Sequence, residues 1–244
     1  MKTVAIIQAR MGSTRLPGKV LMKLQGHTVL YHVIERVKQA KLIDEIIVAT
    51  TTLSEDDVLV EQAELYGVRV FRGSSENVLS RYYEAARQSK AEVVVRITSD
   101  CPLIDPIIVD EVIEYYKNHS YSIVTNAGNI LNKRTFPRGM DVEVFSRKAL
   151  ELANQNTTIP YHLEHVTPYI YEILNNTYYF NSALNHSRYR LTLDTVEDFE
   201  LLTQIYNYLY TNKHDFYLNE ILHLLETNSK LNLLNNHIEQ KTLK

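Results

Sequence analysis

VAIIQARMGSTRLPGKVL, residues 4–21, begins as a strand and then forbids one. Val4, Ala5, Ile6 and Ile7 form a short, mostly β-branched run of the kind found in buried strands. Between Gln8 and Lys19 come Gly12, Gly18, Pro17, the hydroxyls of Ser13 and Thr14, and three cations, Arg10, Arg15 and Lys19. Glycine lets backbone approach a ligand closely, and guanidinium forks with an ammonium match phosphate oxygens. At a strand's carboxyl end such a loop is a candidate phosphate cradle. A plain solvated connection has much the same make-up. The clustering of Gly12, Gly18 and Gly26 in a chain with only 7 glycines favours the cradle. Two common nucleotide motifs do not fit. Gly12 to Lys19 is one residue too long for a Walker A loop, Val20 stands where a Ser or Thr is required, and there is no G-x-G-x-x-G.

Downstream, strand and helix patterns alternate. Thr28 caps a helix whose apolar residues are Val29, Leu30, Val33, Ile34 and Val37. Residues 46–50 read as a strand. Ser54 and Asp57 resemble a capping box for a helix that runs to Gly67. Residues 68–71 then form a strand, 76–88 an amphipathic helix and 93–97 another strand. Asp105-Pro106 starts a helix reaching about Lys117, and 122–125 follow as a strand. This order implies right-handed crossovers and a Rossmann-like three-layer α/β/α fold with a mostly parallel sheet. Ligands in such sheets lie beyond the strands' carboxyl ends.

The rhythm changes at Asn126. Residues 126–137 read as irregular, 140–144 alternate as a strand with one polar face, and 147–154 and 161–174 are helical. A strand-like 188–193 precedes a helix over 195–210 with an acidic first turn, then a further helix near 218–225. Residues 1–230 are expected to form one domain, with 231–244 a partly frayed tail.

Bulk properties narrow the function classes. The 244 residues are 45% apolar and 23% charged, ordinary for a globular protein. A formal net charge of -3 argues against a nucleic-acid partner held by bulk electrostatics. The single cysteine, Cys101, forbids an intrachain disulfide and suits a reducing cytosol. The first apolar run is too short for a signal peptide, and no segment approaches a membrane span. The expectation is a cytoplasmic protein with no membrane insertion.

Two carboxylates stand out. Asp100, in TSDCPLIDP just after the strand at 93–97, is placed to hold a hard cation or to cap a turn. Asp194, in RLTLDTVEDFELL, sits where a strand gives way to a helix; it or Thr195 also suits an N-cap.

The run QARMGSTRLPGKVL resembles the N-terminal signature of the sugar-acid cytidylyltransferases, the CMP-KDO and acylneuraminate type, and is most similar to their SpsF-like spore coat polysaccharide branch. The segment at Asp100 is similar to that family's G-D-x-P-L motif, with Ser99 in place of Gly. The segment at Asp194 is similar to V-D-T-P-E-D-L, with Val196 in place of Pro. The resemblance covers roughly residues 1–210. It implies a fold of the nucleotide-diphospho-sugar transferase (GT-A-like) type, Mg²⁺ held by Asp100 and Asp194, and a triphosphate held by Arg10, Arg15 and Lys19. CTP and a sugar acid are the implied substrates, pyrophosphate the leaving group, surface polysaccharide the destination and a homodimer the assembly. Arg10, Lys19 and Asp100 are the implied catalytic residues. Nucleotide binding falls to Gln8, Ala9, Gly12 and Ser13, and also to Arg72, Asn77 and Arg81 of FRGSSENVLSRY. Arg81 reads equally as a cation on a helix surface.

PRGMDVEVF and YHLEHVTPYIY are the SpsF-like stretches expected at the sugar. Arg138 suits bidentate pairing with a carboxylate, and Asp141 and Glu143, on one strand face, suit sugar hydroxyls. His165 is a further contact. The pair His162 and His165 lacks zincin or inverzincin spacing, which disfavours zinc and favours a polar or interface role. Cys101, with no identified His and Asn partners, reads as packing rather than as a nucleophile. A GT-A-type glycosyltransferase, an enzyme using another nucleoside triphosphate and a non-catalytic nucleotide-binding subunit are the competing readings.

Overall fold

The computed structural model describes residues 1–127 and 133–239. From the amino end the strands are β1 (Thr3–Gln8), the short β2 (Lys23–Leu24) and β3 (His27–Thr28), β4 (Glu45–Thr51) and β5 (Arg69–Gly73). They continue with β6 (Val93–Thr98), β7 (Ile123–Thr125), β8 (Glu143–Ser146) and β9 (Thr177–Tyr179). Interleaved are helices α1 (Val29–Val37), α2 (Asp57–Leu65), α3 (Val78–Gln88), α4 (Pro106–Asn118), α5 (Arg147–Asn156), α6 (Pro160–His165), α7 (Val196–Leu209), α8 (Leu218–Thr227) and α9 (Ser229–Asn232). Among the described residues the main sheet has the order β5-β4-β1-β6-β8-β7-β9. Its pairings are parallel except those of β8, which runs against both β6 and β7.

Period-two alternation decides what each face of this sheet buries. Ala5 and Ile7 of β1, with Val93, Val95 and Ile97 of β6, face a core built with α1, α2, α4, α7 and α8. Val4, Ile6 and Val94 face the opposite core, formed with α3 and α5. This is the three-layer arrangement the sequence implies. Both neighbours of β1 are parallel to it, so its carboxyl end opens at the middle of the sheet's edge, where the first loop leaves.

Several local expectations change. Ser54 and Asp57 do not form a capping box. Residues 54–56 make a 3₁₀ turn, α2 has no side-chain cap, and Asp57 pairs with Arg72 at 2.7 Å. The helix expected over 161–174 breaks at Val166, whose φ of 72° and following Thr167-Pro168 end α6; a π turn over Ile170–Leu174 resumes it. The strand-like 188–193 contributes an isolated bridge, Arg138 to Arg190, and otherwise bonds to loops. The β2–β3 hairpin and β9 were not anticipated. In the hairpin, Gln25 and Gly26 both take positive φ, as a two-residue turn requires. Residues 128–132 of the expected irregular stretch and 240–244 of the expected tail lie outside the described residues.

A buried histidine pair ties α1 to the loop before α8. The Leu24 carbonyl can only accept, so His32 donates to it through Nε2 at 2.8 Å and receives the His214 Nε2 proton on Nδ1, also at 2.8 Å. Burial drives both pKa values down, to about 4 for His32 and about 3 for His214, with Arg36 pressing in the same direction. The unfolded chain takes up these protons below pH 6.5 and the folded chain does not, so stability falls as pH drops through that window. The urea midpoint is expected to drop between pH 7 and pH 5. Each histidine contributes about 3 kcal/mol to that loss by pH 4. A His32→Gln, His214→Gln double variant should flatten this pH dependence, measured by chemical denaturation.

Candidate active site

The loop after β1 is fixed from several directions. Ala9 N–H donates to Ala49 O at 3.1 Å, and Met11 N–H to buried Asp56 at 2.7 Å. Ser13 N–H and Gly18 N–H both return to Met11 O, at 2.8 and 3.2 Å. Gly18 has φ +67°, a left-handed conformation that favours glycine, and it turns the chain into a 3₁₀ segment, Lys19–Leu21. Val20, 1% exposed, plugs that segment into the core and leaves Lys19 aimed across the end of the sheet.

The Lys19 ammonium meets three oxygens there: Asp100 Oδ2 at 2.7 Å, Leu193 O at 2.7 Å and Asp194 Oδ1 at 2.9 Å. Asp100 follows β6 by two residues and accepts the Thr98 hydroxyl at 2.6 Å. Its own carbonyl accepts Leu193 N–H at 2.8 Å and the Thr192 hydroxyl at 3.3 Å, which holds the second acidic segment against the first. Gly139 permits this path. A Cβ there would stand 2.4 Å from the Leu191 carbonyl carbon and oxygen, and its φ is +94°. Asp194 also pairs with Arg15 at 3.0 Å and Arg190 at 2.9 Å. Burial raises the Asp100 carboxyl, but the ammonium and the Thr98 hydroxyl outweigh it and the net shift is downward. Burial works against the Lys19 charge, and the two carboxylates reverse that, raising its pKa. Asp100 is therefore held as a carboxylate beside a lysine that keeps its charge.

A cleft of about 300 Å³ opens over this cluster. Of the residues expected to bind nucleotide, Gln8, Ala9, Arg10, Ser13, Arg15, Lys19 and Arg81 line it, with Asp100, Asp194 and His165. Arg81 is 2% exposed, so the surface-cation reading fails. It donates to Ser74 O at 2.8 Å, its Nε has no partner, and burial, with Arg10 nearby, lowers its pKa. Gly12 remains in the loop beside Glu55.

Other expected contacts are engaged elsewhere. Arg72 donates to the carbonyls of Thr51 and Leu53 and pairs with Asp57, joining β4 to α2. Asn77 caps α3 by accepting from Ser80 N–H. Arg134 takes Asp141 in a two-bond fork at 2.5 and 3.1 Å. Glu143 is buried and its oxygens accept from Arg96 (2.5 Å), the Thr167 hydroxyl (3.0 Å) and the Tyr171 hydroxyl (2.5 Å). That carboxylate is a strut of the fold, not an acceptor for sugar hydroxyls. Arg138, whose backbone pairs with 189–191, does not line the cleft; burial and Arg134 lower its pKa. His162 is buried with both ring nitrogens bonded, to Thr157 at 2.8 Å and Glu172 at 3.0 Å, a polar structural role. The Cys101 thiol is buried, and the charges of Asp100 and Asp141 help burial push its pKa well up, so it packs rather than attacks.

Residues not foreseen for the site are Thr98, Arg190, Asp198 and the cleft-lining Glu164. The spacing Thr195-x-x-Asp198 was a readable signal, and it does form a capping box.

Among the described residues no three His, Cys, Asp or Glu side chains converge as a metal cage. Magnesium needs none: it takes one or two carboxylates and fills its octahedron with water and phosphate oxygens. Two carboxylates and a carbonyl already converge on the Lys19 cation, a hard-oxygen set that fits such an ion.

The cytidylyltransferase family profile matches residues 4–235. The chain belongs to the cytidylyltransferase family. It is 33% identical to the spore coat polysaccharide biosynthesis protein SpsF of Bacillus subtilis, across 91% of this chain and 93% of that protein. It is 30% identical to the 8-amino-3,8-dideoxy-manno-octulosonate cytidylyltransferase of Shewanella frigidimarina, across 84% and 85%. The structure of a cytidylyltransferase from Leptospira borgpetersenii superposes with a TM-score of 0.90 at 35% identity, across 98% of this chain and 100% of that one. No helix among the described residues is long and apolar enough to cross a membrane.

Because Glu143 neutralises Arg96 inside the protein, Glu143→Ala should destabilise the fold by about 3–5 kcal/mol, the cost of leaving a buried charge unpaired. Urea denaturation without any ligand checks this. A variant as stable as the wild type would free Glu143 for another role.

Proposed function

We propose that the protein transfers CMP from CTP to the anomeric hydroxyl of a sugar acid, of 3-deoxy-ulosonic or nonulosonic type, with release of pyrophosphate. The observation that carries this reading is the convergence of the first-loop cations with Asp100 and Asp194 in one cleft. Nucleotidyl transfer asks a protein mainly for charge compensation and alignment of the attacking oxygen. Arg10 and Arg15, at the cleft's open rim, would grip the triphosphate, and Arg81 with the β1 edge at Gln8 and Ala9 would border the base and ribose. Lys19 would exchange its carboxylate partners for phosphate oxygens as the nucleotide enters. Asp100, Asp194 and the Leu193 carbonyl would then be released to hold magnesium, which when bound supplies charge neutralisation at the α-phosphate and a lowered pKa for the attacking hydroxyl. The relatives' names support a sugar acid and a role in surface polysaccharide synthesis. A homodimer belongs to the same reading and rests on the resemblance, while a cytoplasmic location rests on the single cysteine.

The deciding experiment incubates the protein with CTP, Mg²⁺ and a panel of sugar acids and follows pyrophosphate. Release that requires both CTP and a sugar acid is expected. CTP binding with no release across the panel would leave a nucleotide-binding subunit, and consumption of a nucleotide sugar would favour a glycosyltransferase. Asp100→Asn should lower turnover at least about 10²-fold with the fold retained by circular dichroism. Lys19→Ala should chiefly raise the CTP requirement; unchanged CTP dependence would remove its assigned part.

A further inference from the structure

The geometry points to Asn235 as a positioning residue for Asp194, acting through Asp198 and Arg190, an inference that rests on the role proposed for Asp194. Asp198, fully buried near the start of α7, is not part of the cleft lining. Its Oδ2 accepts the backbone N–H groups of Asp194 at 2.9 Å and Thr195 at 3.1 Å. The Arg190 guanidinium reaches both carboxylate oxygens, at 2.8 and 3.0 Å, and its Nη2 also donates to Asp194 Oδ2 at 2.9 Å. One guanidinium is thus divided between a buried acid and the acid in the cleft. Asn235, 3% exposed, donates through Nδ2 to Asp198 Oδ1 and to the Arg190 carbonyl, both at 2.9 Å. Its two amide hydrogens are both used, one on the acid that grips the Arg190 guanidinium and one on the Arg190 backbone.

Without that amide, the Arg190 Nε bond is what Asp198 Oδ1 retains among the described residues, so the acid draws the guanidinium toward itself, while the Arg190 carbonyl loses the Asn235 donor. Asp194 would then depend on Arg15 and Lys19, both of which an incoming triphosphate attracts. A carboxylate that has lost its fixed partner turns more freely and holds a cation less well. Outer partners of this kind change metal affinity by about 10–100-fold. A stapling role for the chain's end alone would behave differently, since Leu231, also buried, anchors the same segment.

The test compares full-length wild type with Asn235→Leu, close in volume, and Asn235→Ser, which retains one donor. Mn²⁺ binding is measured by electron paramagnetic resonance in the presence of CTP without acceptor, alongside the Mg²⁺ and CTP dependence of pyrophosphate release. Asn235→Leu should weaken Mn²⁺ binding about tenfold and raise the half-saturating Mg²⁺ equally, with the KM for CTP within about twofold. Asn235→Ser should fall between. Unchanged Mn²⁺ affinity, with or without a lower melting temperature, overturns the inference, as does an equal loss of Mn²⁺ and CTP affinity. If Asn235→Leu does not fold, Asn235→Ser is judged by the same criteria. Wild type that binds CTP but no Mn²⁺ would instead overturn the role of Asp194 itself.

Discussion

One ammonium group organises this end of the molecule. Lys19 is held by two carboxylates and a carbonyl from segments about 80 and 175 positions further along the chain. Two partly desolvated carboxylates facing each other repel strongly unless a cation stands between them. The lysine makes the arrangement affordable in the absence of ligand. It also means that the two carboxylates never face each other bare: the ammonium stands between them, 2.7 Å from Asp100 and 2.9 Å from Asp194.

The surroundings explain why those oxygens stay. β1 is locked between two parallel neighbours, Val20 anchors the loop in the core, and the Asp100 carbonyl takes two hydrogen bonds from the segment that carries Asp194. Geometry set by the sheet is more exact than geometry left to a free loop, and phosphoryl chemistry depends on such positioning. Behind Asp194 the charges alternate, Arg190 then Asp198, so each buried group has an opposite neighbour.

Much of this could be read from the residues. β1, β4 and β6 are short β-branched runs between turn-forming residues, and burial on both faces needs little more than that. The cations of the first loop and the two aspartates stood out because glycine, proline and charge interrupt apolar runs at defined places. Partnership across the fold was not legible. Glu143 alternates as an exposed strand residue would, yet Arg96, Thr167 and Tyr171, remote in sequence, enclose it. Arg81 read as readily as a surface cation as a nucleotide contact because the helical period does not show that the Ser74 carbonyl and the cleft wall lie over that face. The break at Val166 was marked by Pro168, but the apolar period on either side concealed it.

Gly139 has a consequence well beyond its own turn. The backbone of residues 191 and 192 passes so close that even a methyl group would collide with peptide atoms, which have no rotamer by which to yield. Any side chain there must push aside the segment that delivers Asp194. This position carries no functional group, yet backbone contact alone closes it to any side chain, and directed diversification of the neighbouring loops has to proceed around it.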